Sequence, residues 1–303
     1  MNASSTTRRN PGPEWGYGFL TWAERVSPRW IFRPLLMAGC WVAVACMSGP
    51  RAHSRAFLTT VFGRRARLGE VWRHFFSFAE ILMLMLRVGR GVSVRCDLEP
   101  ENAAAFEALV RSDRPALFGT FHFGASDLLG FALGERGRRV SILRLRVGNS
   151  RDTRRLGARF RAHVSFLWVN DPAEVLFTLK SAIAAGESIA LKSDRLGFSA
   201  RNEPFQFLGR QRLFPFTIYH LAVLFDRPVV FCTAVPDWDN NALRIASSPV
   251  FTPKPDLDRA ANLAAAREHF QAVLTQLEAL LRKDPFLWFN FLPLNPPPAA
   301  HVG

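Results

Sequence analysis

The sequence predicts an α/β protein: a mostly parallel, mixed sheet flanked by helices, with an N-terminal membrane-associated helical segment ahead of it. Three observations lead there. From Leu98 onward, short apolar runs of strand length alternate with helix-length stretches, the texture of βαβ units. Before Leu98 the pattern is helical and basic. Hydrophobic residues make up 49% of the 303, at a mean hydropathy of +0.03. That supports a sizeable core and excludes a globally disordered chain.

Residues 1–14 (MNASSTTRRNPGPE) are polar and proline-bearing and read as a disordered leader. Residues 15–95 form a basic helical segment. Fourteen arginines against four acids in residues 1–95 put +10 of the net +14 into the first third of the chain. The same third holds the one long apolar run, Pro34 to Gly49, with Trp30, Ile31 and Phe32 just ahead of Arg33. Sixteen helical residues reach about 24 Å, short of the roughly 30 Å hydrocarbon core of a bilayer. A helix lying in the interface, held by Arg25, Arg29, Arg33, Arg51 and Arg55, suits that length and those flanks. The competing readings are a buried core helix and a cleaved signal peptide, since Ala43-Val44-Ala45 mimics a cleavage site. Membrane association from the cytoplasmic side is expected. Further on, Trp72, Phe75, Phe76, Ala79, Leu82, Met83 and Leu86 recur at three- and four-residue intervals as one apolar helical face.

Residues 96–294 form the α/β domain and 295–303 a flexible tail. Strands are expected over Pro115–Phe121, Val140–Leu145, Val164–Val169, Ser188–Lys192 and Pro228–Val235. Helices are expected over Glu101–Val110, Ser126–Leu133, Thr153–Ala162, Ala173–Ala185, Phe216–Phe225 and Arg259–Arg282. In parallel sheets ligands bind at the carboxyl ends of the strands, so polar residues just after each strand are the functional candidates.

The strand Pro115–Phe121 ends at His122-Phe123-Gly124-Ala125-Ser126-Asp127. Five residues rotate a helix by about 500°, so His122 and Asp127 could not face each other on one helix. Gly124 permits a sharp strand-to-helix turn that could set Asp127 against one imidazole nitrogen. The other nitrogen would then take a proton from a hydroxyl. After Ser188–Lys192 comes a second cluster, Ser193-Asp194-Arg195, and later Phe207-Leu208-Gly209-Arg210. Gly209 would admit a ligand close to backbone, and Arg195 and Arg210 could neutralise phosphate or a developing oxyanion. Ten arginines between Arg136 and Arg161, among them Arg144, Arg146, Arg151, Arg154 and Arg155, suggest an anionic ligand.

Other chemistries find no support. The chain has no GxSxG elbow, no GxxxxGK[ST] loop, no GxGxxG and no HExxH. Its four cysteines are scattered, which argues against a disulfide framework and a cysteine zinc site. His53, His74, His163, His220, His269 and His301 have no metal-ligand spacing and read as structural. No metal is expected. The marks of a nucleic-acid-binding fold are also absent, so no nucleic-acid partner is expected.

The order of these elements resembles a known family. A basic apolar N-terminal helix, HFGASD after the first strand, SDR after a later one, FLGR before a Phe-Pro turn, and RPVVFCTAV are similar to the lysophospholipid acyltransferase superfamily. Within it, the chain resembles the bacterial lipid A biosynthesis (lauroyl/myristoyl-type) acyltransferases, from about Trp15 to Leu294. The resemblance implies His122 as general base and Asp127 as its orienting acid. It also implies substrate-binding roles for Asp194, Arg195, Gly209 and Arg210, with Arg151, Arg154 and Arg155 drawn to an anionic partner. Ala125-Ser126-Asp127 stands where the family commonly shows Asn-Trp-Glu, which keeps a carboxylate one methylene shorter. The activity implied is O-acyl transfer from a carrier thioester, acyl-carrier protein or coenzyme A, to a hydroxyl of a lipid A-like or other lipid acceptor. No cofactor beyond that co-substrate is implied; an anionic membrane surface is the remaining partner, and the location implied is the cytoplasmic face of the cell inner membrane. The rival readings are an acyl hydrolase of the same fold and a non-catalytic basic protein binding membrane or nucleic acid.

Overall fold

Buried on both faces, the central strands have no polar side to alternate with, so they stand in the sequence as unbroken apolar runs. The computed structural model describes residues 14–145, 161–169, 172–199, 201–289 and 291–295. Four helices lead: α1 (Glu14–Val26), α2 (Arg29–Cys46), α3 (Ser48–Phe62) and α4 (Leu68–Gly89). Then follow β1 (Arg95–Leu98), α5 (Ala103–Arg111), β2 (Leu117–Thr120), α6 (Ser126–Glu135), β3 (Val140–Leu145) and β4 (Val164–Val169). The rest comprises α7 (Pro172–Ala184), β5 (Ser188–Lys192), β6 (Asn202–Phe207), β7 (Arg210–Pro215), α8 (Thr217–Phe225), β8 (Val229–Asp237), β9 (Ala242–Ser247) and α9 (Arg259–Lys283).

Seven strands form one sheet in the order β1-β9-β8-β2-β5-β3-β4. From β8 to β4 every pairing is parallel; β9 runs antiparallel to β8, and β1 pairs with β9 in parallel. Period-2 alternation splits the core into two layers. Along β8, Val229, Phe231 and Val235 point into a layer with α3, α7, α8 and α9. Val230, Cys232 and Ala234 point into the other, with α4, α5 and α6. The mixed α/β sheet is therefore as expected. β1, β9 and the separate β6–β7 hairpin were not anticipated. β1 and β9 carry Arg95, Asp97 and Arg244 near the sheet edge, which dilutes the apolar signal. The helix expected over Thr153–Ala162 falls almost wholly outside the described residues.

The leading helices are tied to the domain through α4. Trp41 of α2 stacks on Trp72 at 5.5 Å, and Trp72 on Phe76 at 5.3 Å. Glu24 of α1 pairs with both Arg87 and Arg90 of α4. The expected α4 stripe is half right: Phe75, Phe76, Met83 and Leu86 are buried, but so are Ile81, Leu84 and Val88 on the opposite side. α4 is packed from two directions, by the other leading helices and by the sheet domain. Between α2 and α3 the chain bends by 97°, and no single described helix is long and apolar enough to cross a membrane.

Candidate active site

Strand register brings the central pair together. β2 and β5 are parallel neighbours with Thr120 opposite Lys192, and the ladder continues as Ser193 donates its amide to the Thr120 carbonyl at 2.8 Å. Two residues beyond that pair, His122 and Asp194 lie side by side. The His122 imidazole donates from Nδ1 to Asp194 Oδ1 at 2.7 Å. Its backbone amide donates to Oδ2 at 2.9 Å. Asp194 is fully buried and the His122 side chain is 17% exposed. A carboxylate at Nδ1 fixes the tautomer with Nε2 unprotonated, and Nε2 has no hydrogen-bond partner among the described residues.

Gly124 builds the turn that follows, as the sequence suggested. Its φ is +55°, and a Cβ there would stand 2.1 Å from the Ala234 carbonyl oxygen. The close approach allows the Ala125 amide to donate to that same oxygen at 2.8 Å. α6 then starts at Ser126, which places Asp127 in its first turn.

Asp127 does not orient the imidazole. Its Oδ2 accepts from Lys192 Nζ at 2.9 Å and its Oδ1 from Arg144 at 3.0 Å. The reason is topological. Lys192 ends β5 and Arg144 lies near the end of the adjacent β3, so α6 begins above two cations, and Asp127 pairs with them. The imidazole takes its carboxylate from the neighbouring strand instead. Sequence reasoning assigned Asp194 a substrate-binding role and passed over Lys192. One signal for Lys192 was available: it is one of only four lysines beside thirty-five arginines, and it sits at a strand end.

Electrostatics follow from this arrangement. Burial pushes the His122 pKa down to about 4; Asp194 pulls it back up, and Lys192 and Arg195 push it down again. The imidazole is therefore neutral at pH 7. Burial works against the Asp194 carboxylate, but His122 and Arg195 hold it below its ordinary value. Burial likewise opposes ionisation of Asp127, and Lys192 and Arg144 outweigh it, so this group too is lowered. Burial lowers Lys192, with Asp127 opposing. Among the described residues the cluster gathers three cations, Lys192, Arg144 and Arg195, around the carboxylates of Asp127 and Asp194.

The remaining candidates separate. Arg195 sits beside the pair, acting on His122, Lys192 and Asp194. Gly209 and Arg210 do not join it: Leu208 (φ +50°) and Gly209 (φ +74°) form the two-residue turn of the β6–β7 hairpin, and Arg210 is exposed. Nothing lies within 4 Å of a Cβ at Gly209, and its left-handed φ is what the hairpin turn requires. Alternating Phe205 and Phe207 before Leu-Gly was the sequence signal for that hairpin. Arg151, Arg154 and Arg155 lie outside the described residues. Of the arginine run, Arg138 is a buried strut bonded to the carbonyls of Leu109, Ser112 and Arg114, and Arg144 belongs to the cluster.

No protein-family model matches the chain, and no curated protein does. The site must be read from its own geometry. Among the described residues no group of three or more His, Cys, Asp or Glu side chains could hold a metal ion. A hollow of about 690 Å³ lies between α7 and β4, lined by Leu167, Phe177, Thr178 and Glu187; none of the charged cluster lines it. His74 and His269 are structural, as expected. His74 is held between the Ser54 hydroxyl (2.8 Å) and the Trp288 carbonyl (2.6 Å). His269 is held between the Tyr219 hydroxyl (2.5 Å) and the Pro249 carbonyl (2.8 Å).

Proposed function

We propose that the protein is a membrane-associated O-acyltransferase of the lysophospholipid acyltransferase type. The observation that carries this reading is the His122–Asp194 pair at the carboxyl ends of β2 and β5, where Nε2 has no hydrogen-bond partner among the described residues and the cations Lys192, Arg144 and Arg195 lie alongside. The proton of an acceptor hydroxyl passes to His122 Nε2 as its oxygen bonds to the acyl carbon of a carrier thioester. The tetrahedral intermediate collapses with loss of the C–S bond, and the thiolate leaving group recovers the proton from the imidazolium. Asp194 stabilises that imidazolium and holds the ring. Arg195, Lys192 and Arg144 supply positive charge for the oxyanion and for phosphate on the carrier arm or acceptor. No covalent acyl-enzyme is needed, in keeping with the lack of a nucleophile elbow in the sequence.

Membrane association is supported by a row of exposed apolar side chains on α1 and α2, including Phe19, Trp22, Trp30, Leu35 and Val42. Arginines from the leading segment flank it. Such a face suits an interfacial helix on an anionic leaflet, and we place the protein on the cytoplasmic face of the inner membrane.

The test is purified protein with an acyl-carrier-protein or acyl-coenzyme A thioester, with and without a lipid alcohol. An ester formed by wild type and lost in His122→Ala supports transfer. Free acid formed at the same rate whether or not the alcohol is present assigns a hydrolase. Neither product from any tested pair leaves the non-catalytic basic protein as the better reading.

A further inference from the structure

The segment after α9 runs back across the site as a strap. Its Leu287 carbonyl accepts from the Gly124 amide at 2.8 Å, and its Phe289 amide donates to the His122 carbonyl at 2.6 Å. Trp288, 2% exposed, is anchored through its carbonyl to buried His74. Farther along, Asn295 is 6% exposed, although it lies at the start of what reads as a flexible tail in the sequence. Its Nδ2 donates to the Asp194 carbonyl at 3.2 Å and to the Leu213 carbonyl at 2.7 Å. Its own backbone carbonyl accepts from the Arg212 guanidinium at 3.0 Å.

Both neighbours of the Asn295 side chain are carbonyl oxygens, so its amide must face them with NH2; a carboxylate there would meet two acceptors. Asp194 lies just past the end of β5, where the regular ladder stops. Its carboxylate is committed to His122 on one side, and Asn295 holds its carbonyl on the other. A rotation of that peptide would swing the carboxylate off Nδ1.

We propose that Asn295 is a positioning residue: it sets the Asp194 peptide so that both carboxylate oxygens meet His122. This rests on the His122–Asp194 reading above. Small misplacements of such a group carry large rate costs, about ten- to a hundredfold.

The experiment is proton NMR of the full chain in detergent, labelled with 15N at histidine, paired with kinetics. The Nδ1–H signal of His122, assigned by its loss in His122→Ala, reports the bond to Asp194 directly and needs no turnover. In Asn295→Ala and in the isosteric Asn295→Asp, that signal should move upfield or broaden. In parallel, kcat should fall about ten- to a hundredfold and KM change by no more than about twofold. Asn262→Ala is the control: it removes another buried amide with several backbone bonds, near the start of α9, and should leave both signal and kcat unchanged. If the Asn295 variants fold poorly, Arg212→Gln frees the strap without touching the amide and should move the signal in the same direction. An unchanged His122 signal in the folded variants overturns the proposal and leaves the transferase reading standing. A signal that responds in a protein that forms no ester overturns the transferase reading and leaves the positioning role standing.

Discussion

Asp194 accepts two hydrogen bonds from one residue, the imidazole Nδ1 and the backbone amide of His122, at 2.7 and 2.9 Å. The carboxylate therefore fixes both ring and strand end, which neither Asp127 nor a surface acid could do. It is also fully buried, so no water competes for it.

Removing the base should cost most. His122→Ala is expected to lower the rate of ester formation by about 10²–10⁴-fold; it also takes a donor from the buried Asp194 carboxylate, so a lower melting temperature accompanies the loss. Asp194→Asn should approach that loss, since a neutral amide neither stabilises the imidazolium nor enforces the tautomer. Asp127→Asn leaves Lys192 and Arg144 without their carboxylate, so its cost should fall mainly on stability and on KM. A larger loss of kcat in Asp127→Asn than in Asp194→Asn would reverse the two assignments.

The pH profile should distinguish free from substrate-bound enzyme. The base works only when neutral, and His122 is pushed down to about 4, so the acid limb of kcat/KM should lie near pH 4. Lys192 and Arg195 contribute to that depression. An anionic substrate seated on them offsets their charge and raises the His122 pKa, so the acid limb of kcat should lie at higher pH. Coincident limbs would show that no anion binds beside the imidazole.

Stability should fall over a related window. His74 and His122 both titrate near 4 when folded, against 6.5 ordinarily. Between those values the unfolded chain binds the protons, so stability is full above about pH 6.5 and declines as pH falls toward 4. His74→Gln, compared with wild type by thermal melting between pH 7 and 4.5, should show a shallower decline.

Two glycines should behave differently. Gly124→Ala drives a methyl into the Ala234 carbonyl and should abolish activity along with much of the folded protein. Gly209→Ala meets no atom and pays only for its left-handed φ, about 1 kcal/mol. Ester formation by folded Gly209→Ala should match wild type; a selective rise in KM would restore Gly209 to the site.

For the membrane face, Trp30→Glu, Leu35→Glu and Val42→Glu together change only exposed side chains. The triple variant should keep its melting temperature and lose binding to anionic vesicles in a flotation assay. Deleting residues 1–49 is a poorer probe, because it strips Trp41 from Trp72 and Glu24 from Arg87 and Arg90. Vesicle binding retained by the triple variant would rule out this face as the contact.

The local pattern of the chain was enough to place β2, β3, β4, β5 and β8, the helices α6, α7 and α8, and His122 at a strand end before a glycine turn. Apolar runs, helical periodicity and glycine are short-range signals, and they act within about ten residues. Strand order is different in kind. Nothing in the stretch from Pro115 to Asp127 states that β5 lies against β2, or that β3 lies on the far side of β5; the packing of two helical layers decides it. That order put Asp194 on His122 across 72 residues and gave Asp127 to Lys192 and Arg144. It also turned Asn295 from an expected tail residue into a buried contact. The side chains at the strand ends could be named from the sequence, but their partners depended on which strands became neighbours.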